Sequence, residues 1–221
     1  MNPTPRNTTD ERLVDALSSA NASARLNAAQ AAGTYPDPGL ADVLVARCAI
    51  EPDFFVREML TWALTRLPAQ VTVPRLLGEL RSARAQARGQ ALHTLSKIGD
   101  RSAWPSITAS LLHDADDEVA RAAWRAAVVL VPEEQKQELV TELAKEFGRG
   151  DRHVGLSLSR ALVALGELIE PALRTAMASD DPAVAAHARA TQRLLLDQDA
   201  SFELDIDQAK RIAALGAHAD R

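Results

Sequence analysis

An all-α solenoid built from two-helix repeats is the fold this sequence predicts, and three observations predict it. One 15-residue pattern recurs six times along the chain. Nearly every copy opens on a residue that caps helices. No alternating strand pattern of useful length occurs before residue 200.

The six copies are "NASARLNAAQAAGTY" from Asn21, "DFFVREMLTWALTRL" from Asp53, "RAQARGQALHTLSKI" from Arg84, "DDEVARAAWRAAVVL" from Asp116, "DRHVGLSLSRALVAL" from Asp151 and "DPAVAAHARATQRLL" from Asp181. Aligned on the fourth residue, the anchors are Ala24, Val56, Ala87, Val119, Val154 and Val184, separated by 32, 31, 32, 35 and 30 residues. Such a period marks stacked repeats rather than one compact core.

Each column has a physical meaning. Asn21, Asp53, Asp116, Asp151 and Asp181 stand three residues before the anchors, where a side-chain oxygen accepts a free backbone N–H at a helix start. Arg84 breaks the column, so the third of these helices is expected to start less firmly. Seven residues after the anchor all side chains are small: Ala31, Ala63, Thr94, Ala126, Ala161 and Thr191. Eleven after it all are large: Tyr35, Leu67, Ile98, Leu130, Leu165 and Leu195. Offsets 0, 4, 7 and 11 share one helical face. The small residues then permit close helix approach and the large ones plug each layer.

Each capped helix follows a second amphipathic segment: "GLADVLVARCAI", "VPRLLGEL", "WPSITASLL", "EQKQELVTELAKEF" and "EPALRTAM". Pro74, Pro105 and Pro171 are expected at or near the first turn of theirs. Turns carry Gly99-Asp100 or lie beside Gly166. The ends differ from the repeats. Residues 1–9 are polar and expected to be loose, residues 10–197 form the array, and residues 198–221 fold back as a helical cap or serve as a docking tail. The polar Arg189, Thr191 and Gln192 already suggest capping in the sixth repeat.

The stretch "LSKIGDRSAWPSITASLLHDADDEVARAAWRAAVVL" resembles a HEAT-like repeat: a Gly-Asp turn, a proline-bearing first helix, an Asp cap, then a valine and A-x-x-A. The resemblance implies a right-handed α-α superhelix of about six repeats, whose second helices line a concave face. More narrowly, "EPDFFVREMLTWALTR" with "ALHTLSKIGD" is similar to HEAT-repeat proteins of actinobacteria. Some of those carry a MerR-type DNA-binding domain, which implies a regulatory or ligand-sensing role as an alternative. Residues 1–9 hold no helix-turn-helix.

On the second helices, the face away from the anchors displays Trp62, Arg66, His93, Lys97, Arg121, Arg125 and Arg160. These are the candidate binding residues. As a basic stripe on a chain of formal charge −5 they suit an acidic protein or peptide partner. The alternative is that they are solvated ends of long side chains, some neutralised by Glu58, Asp116 and Asp117. Trp62 is expected to face the groove rather than fill a seam, because an aliphatic core has no partner for an indole N–H. Phe54 and Phe55 are expected to pack between repeats, and Trp104 to pack structurally.

No catalytic chemistry is expected, and no metal or cofactor. His93, His113, His153, His187 and His218 have no second ligand at metal spacing. No nucleotide loop occurs, "GLSLSR" lacks a nucleophile elbow, and "DADDE" lacks the central Gly of a calcium loop. Cys48 alone excludes an internal disulfide. HEAT-like DNA glycosylases for alkylated purines use concave Trp, Asp and Arg residues, and Trp62, Trp124, Arg125 and Arg160 could be set in those roles. No motif matches them residue by residue, and the net charge disfavours gripping many phosphates, so nucleic acid is not the expected partner. Bilin lyases also contain related repeats, but nothing in this sequence specifies a chromophore pocket. With no apolar leader and no long apolar run, the expected setting is the cytoplasm, without membrane contact.

Overall fold

The computed structural model describes residues 8–196, which form helices and turns with no strand among them. They fall into two compact units, the first ending at Gln135 and the second beginning at Lys136. The predicted cap at 198–221 lies outside the described residues, as do residues 1–7. Thr8 and Thr9 are helical rather than loose, because the first helix begins at Thr8.

The first unit contains α1 (Thr8–Leu17), α2 (Ala22–Thr34), α3 (Ala41–Cys48), α4 (Phe54–Thr65), α5 (Ala69–Glu79), α6 (Ala85–Ile98), α7 (Ala109–Leu112) and α8 (Asp117–Leu130). The capped helices α2, α4, α6 and α8 pack in series, while α3 packs on α4 and α5 and α5 packs on α6. The second unit contains α9 (Lys136–Ala144), α10 (Arg152–Val163), α11 (Glu170–Met177) and α12 (Pro182–Leu196), with α10 against α12 and α11 against α9 and α12.

The caps form as the column requires. Asn21 accepts the N–H groups of Ser23 and Ala24, Asp53 that of Val56, Asp116 those of Glu118 and Val119, and Asp151 those of His153 and Val154. Asp181 accepts the Ala183 N–H at 2.8 Å. Arg84 occupies its cap position with no side-chain bond. Gly99 closes α6 in the left-handed region, with φ 71°, which glycine enters without strain.

Three local expectations need correction. The segment "WPSITASLL" is not one helix: a 3-10 turn over Arg101–Ser106, started by Asp100, is separated from α7 by Ile107 and Thr108. Ile107 is buried there, so its side chain enters the core at the break. Pro74 lies inside α5 rather than in its first turn, because the helix already starts at Ala69. Tyr35 does not plug a layer. It is 79% exposed at the end of α2, whereas Leu67, Leu130 and Leu165 of the same column are buried.

The seams between capped helices hold polar pairs that the columns did not predict. Thr61 Oγ1 lies 3.4 Å from Thr94 Oγ1, and Ser159 Oγ lies 2.7 Å from Thr191 Oγ1, all four residues being buried. Thr191 is thus a seam residue rather than part of a polar cap. Trp124 occupies the same column as Thr61 and Ser159. It is fully buried, and its indole N–H donates to the Leu112 carbonyl at 2.9 Å. A carbonyl near the end of α7 supplies the partner that an aliphatic core was expected to lack. Trp104 does pack structurally, donating its N–H to Gln135 Oε1 at 2.6 Å.

A buried ion cluster ties the first two repeats together. Glu51, with no exposed surface, receives Arg25 Nε at 2.8 Å and Nη2 at 2.7 Å, Arg47 Nε at 2.8 Å and the Asp53 N–H at 2.9 Å. Burial alone would raise the Glu51 pKa. The hydrogen bonds from Arg25, the Asp53 backbone and Arg47 outweigh it and hold the carboxyl at about 2. Burial and the Glu51 charge push the nearby Cys48 thiol up to about 12, so it stays protonated and acts as a packing group.

Candidate functional site

A cavity of about 630 Å³ opens across α4, α6 and α8 in the first unit. Helical spacing builds it. Glu58 on α4, Gly89 and His93 on α6, and Arg121 and Arg125 on α8 fall on the face turned away from the buried anchors Val56, Ala87 and Val119. Gly89 leaves room in the middle, and Phe54, Arg57, Gln86 and Gln90 complete the wall.

Some of the charges in this cavity are paired and, among the described residues, others are not. Arg121 Nη1 donates to Glu118 Oε1 at 2.5 Å. His93 Nε2 lies 3.2 Å from Glu58 Oε1 without aligning on it. That nitrogen and Gln90 Oε1 are shut off from solvent yet make no hydrogen bond. Burial lowers the His93 pKa; Glu58 pulls it back up, while Arg125 and Lys97 push it lower. Burial and then the Arg121 charge lower the Arg125 pKa, although a guanidinium remains charged.

The structure therefore joins three of the seven candidate residues, His93, Arg121 and Arg125, in one cavity. Lys97 is exposed one turn beyond His93 on α6, and Arg66 is exposed at the end of α4. Arg160 is exposed on α10, in the second unit. Trp62 combines both of its anticipated roles. It is 40% exposed, yet the outer ring of its indole lies so close to Gly33 of α2 that a Cβ there would sit 2.2 Å from Cζ3. Trp124 faces no groove at all.

Phe54 and Phe55 correct another expectation. They are 58% and 70% exposed and meet edge to face at 5.5 Å, with the Arg57 guanidinium 5.9 Å from the Phe54 ring. They sit in the first turn of α4, ahead of Val56, where the helix has not yet turned them toward a neighbour. Sequence reasoning missed Arg57 and Gln90. The arginine was legible as a column, since Arg25, Arg57 and Arg88 each follow an anchor.

A second cavity, about 440 Å³, lies in the second unit between the Gly148–Gly150 loop, α10 and α12. His187 Nδ1 accepts the Gly148 N–H at 3.1 Å, which places the ring proton on Nε2. Nε2 faces the Gly155 carbonyl at 2.9 Å and Ser159 Oγ at 3.1 Å. In this arrangement His187 cannot take a proton from Ser159, so the pair is a structural link between α10 and α12 rather than an activated nucleophile.

No protein-family profile matches the chain, and no curated protein matches it. Solved structures do. One is the complex of CpcE and CpcF of phycocyanin lyase from Nostoc sp. PCC7120, with a TM-score of 0.50 and 20% sequence identity, covering 88% of this chain and 79% of that chain. The fold is all-α and HEAT-like. At this identity the likeness speaks for the fold alone, as does the repeat pattern. Among the described residues no helix is long and apolar enough to cross a membrane.

Proposed function

We propose that this protein is a non-catalytic cytoplasmic binding module that holds an acidic segment of a partner protein on the second helices of its first unit. The α4/α6/α8 cavity carries the reading. It combines the exposed Phe54 ring with the guanidinium groups of Arg57 and Arg125. Arginine and aromatic side chains are also the groups that dominate protein interfaces. Trp62, Arg66 and Lys97 extend this surface along α4 and α6, while Arg160 is left outside it.

The test is site-specific photo-crosslinking in native lysate. A photoreactive residue at Ala85, in the cavity wall, should capture one protein that the same group at Gln70, on α5, does not reach. Arg125→Glu should abolish that capture while the unfolding midpoint stays unchanged. Equal capture from both positions, or capture indifferent to Arg125→Glu, refutes the assignment.

A further inference from the structure

Two columns of the first unit form a ladder. The residue two before each cap turns its side chain onto the cap N–H. Ser19 accepts from Asn21 at 3.2 Å, Glu51 from Asp53 at 2.9 Å, Ser82 from Arg84 at 3.3 Å and Asp114 from Asp116 at 3.0 Å. An arginine follows three of the four anchors and sends Nη1 back to the carbonyl of that same turn. Arg25 reaches Ser19 O at 2.9 Å, Arg57 reaches Glu51 O at 3.0 Å, and Arg88 reaches Ser82 O at 2.9 Å.

The other edge of the guanidinium reaches forward to the next turn. Arg25 grips Glu51 through Nε and Nη2, at 2.8 and 2.7 Å. Arg88 grips Asp114 in the same way, at 2.9 and 3.0 Å. For Arg57 the next turn offers Ser82, too short and uncharged to serve, and among the described residues Arg57 pairs with no carboxylate. Its remaining contacts are the Pro52 carbonyl at 2.8 Å and the Phe54 ring. This arginine lines the α4/α6/α8 cavity, while the cavity's acids have roles already: Glu118 binds Arg121, Glu58 leans on His93, and Asp116 caps α8.

We infer that Arg57 is a seat for a carboxylate supplied by a partner protein, filling the place that Glu51 and Asp114 fill in the neighbouring repeats. A guanidinium edge with two parallel N–H donors matches a carboxylate and little else among side chains. The exposed Phe54 and Phe55 beside it take an apolar neighbour of that acid. The occupant is therefore an extended segment in which an acidic and an apolar residue are adjacent. The inference rests on the binding role of the same cavity and adds its anchor and the chemistry of its ligand.

The probe is a capped peptide alternating glutamate and leucine, with its glutamine–leucine counterpart as control, followed by titration calorimetry on the full chain. The acidic peptide should bind, and the control should not. Arg57→Gln should weaken binding about 10-fold or more, the range expected for a charged hydrogen-bonded pair. Ser82→Asp should weaken it equally by closing the seat from within. By NMR, the carboxylate introduced by Ser82→Asp should titrate below the ordinary aspartate range, and return to it when Arg57→Gln is added. An ordinary titration in Ser82→Asp alone overturns the inference, as does failure of the acidic peptide to bind. Binding that survives Arg57→Gln also overturns it, yet leaves the cavity reading standing if Arg125→Glu still abolishes crosslinking from Ala85.

Discussion

Gly33 and Trp62 decide between two effects of opposite sign, so Gly33→Ala is an informative perturbation. In a helix, alanine is favoured over glycine by up to about 1 kcal/mol. Gly33 is the penultimate residue of α2, which reduces that gain to roughly half. Against it stands the indole of Trp62, 2.2 Å from where the new methyl would be. The ring must leave. A fully buried aromatic side chain covers about 150–250 Å². Trp62 is 40% exposed, so displacement uncovers on the order of 100 Å². At ~25 cal/mol per Å² that is about 2.5 kcal/mol, for a net loss of about 2 kcal/mol. In a Trp62→Ala background the obstacle is gone, and the same change should stabilise by about 0.5 kcal/mol. Urea denaturation of the four members of the cycle measures this, and acrylamide quenching reports whether the indole has moved into solvent. An equal effect of Gly33→Ala with and without the indole would refute the contact and return Trp62 to the groove alone.

The remaining predictions concern the ion cluster, the histidine link and the caps. Glu51 titrates near 2 in the fold against an ordinary 4.5, so its stabilisation is complete above about pH 4.5 and is lost as pH falls toward 2. Glu51→Gln should cost about 3–5 kcal/mol at neutral pH and flatten that acid limb in chemical denaturation. Burial lowers the His187 pKa below its ordinary 6.5, more than the Gly155 carbonyl raises it. The unfolded chain then takes up the proton first, and stability should fall as pH drops below 6.5, a slope that His187→Gln removes. Asp116→Ala should destabilise by about 1 kcal/mol in the same assay, while Arg84→Asp, adding the missing cap to α6, should stabilise by a similar amount.

The sequence by itself determined the repeat period, the helical class, the cap residues and the face on which His93, Arg121 and Arg125 meet. These features are encoded within a few turns of one helix, where hydrogen-bond ends and apolar spacing act locally. The tertiary structure alone decided what each long side chain touches. Trp124 is buried because α7 presents the Leu112 carbonyl to it, and Trp62 leans inward because Gly33 leaves a hollow. Arg25 and Arg88 are neutralised by acids 26 residues further on, whereas Arg57 finds no such acid among the described residues. Such pairings depend on which turn stacking brings alongside, and a one-residue difference in repeat length, 31 against 32, is enough to shift which residue a plain sequence offset selects. The same applies to Phe54 and Phe55, whose exposure follows from the point at which α4 starts and not from their hydrophobicity.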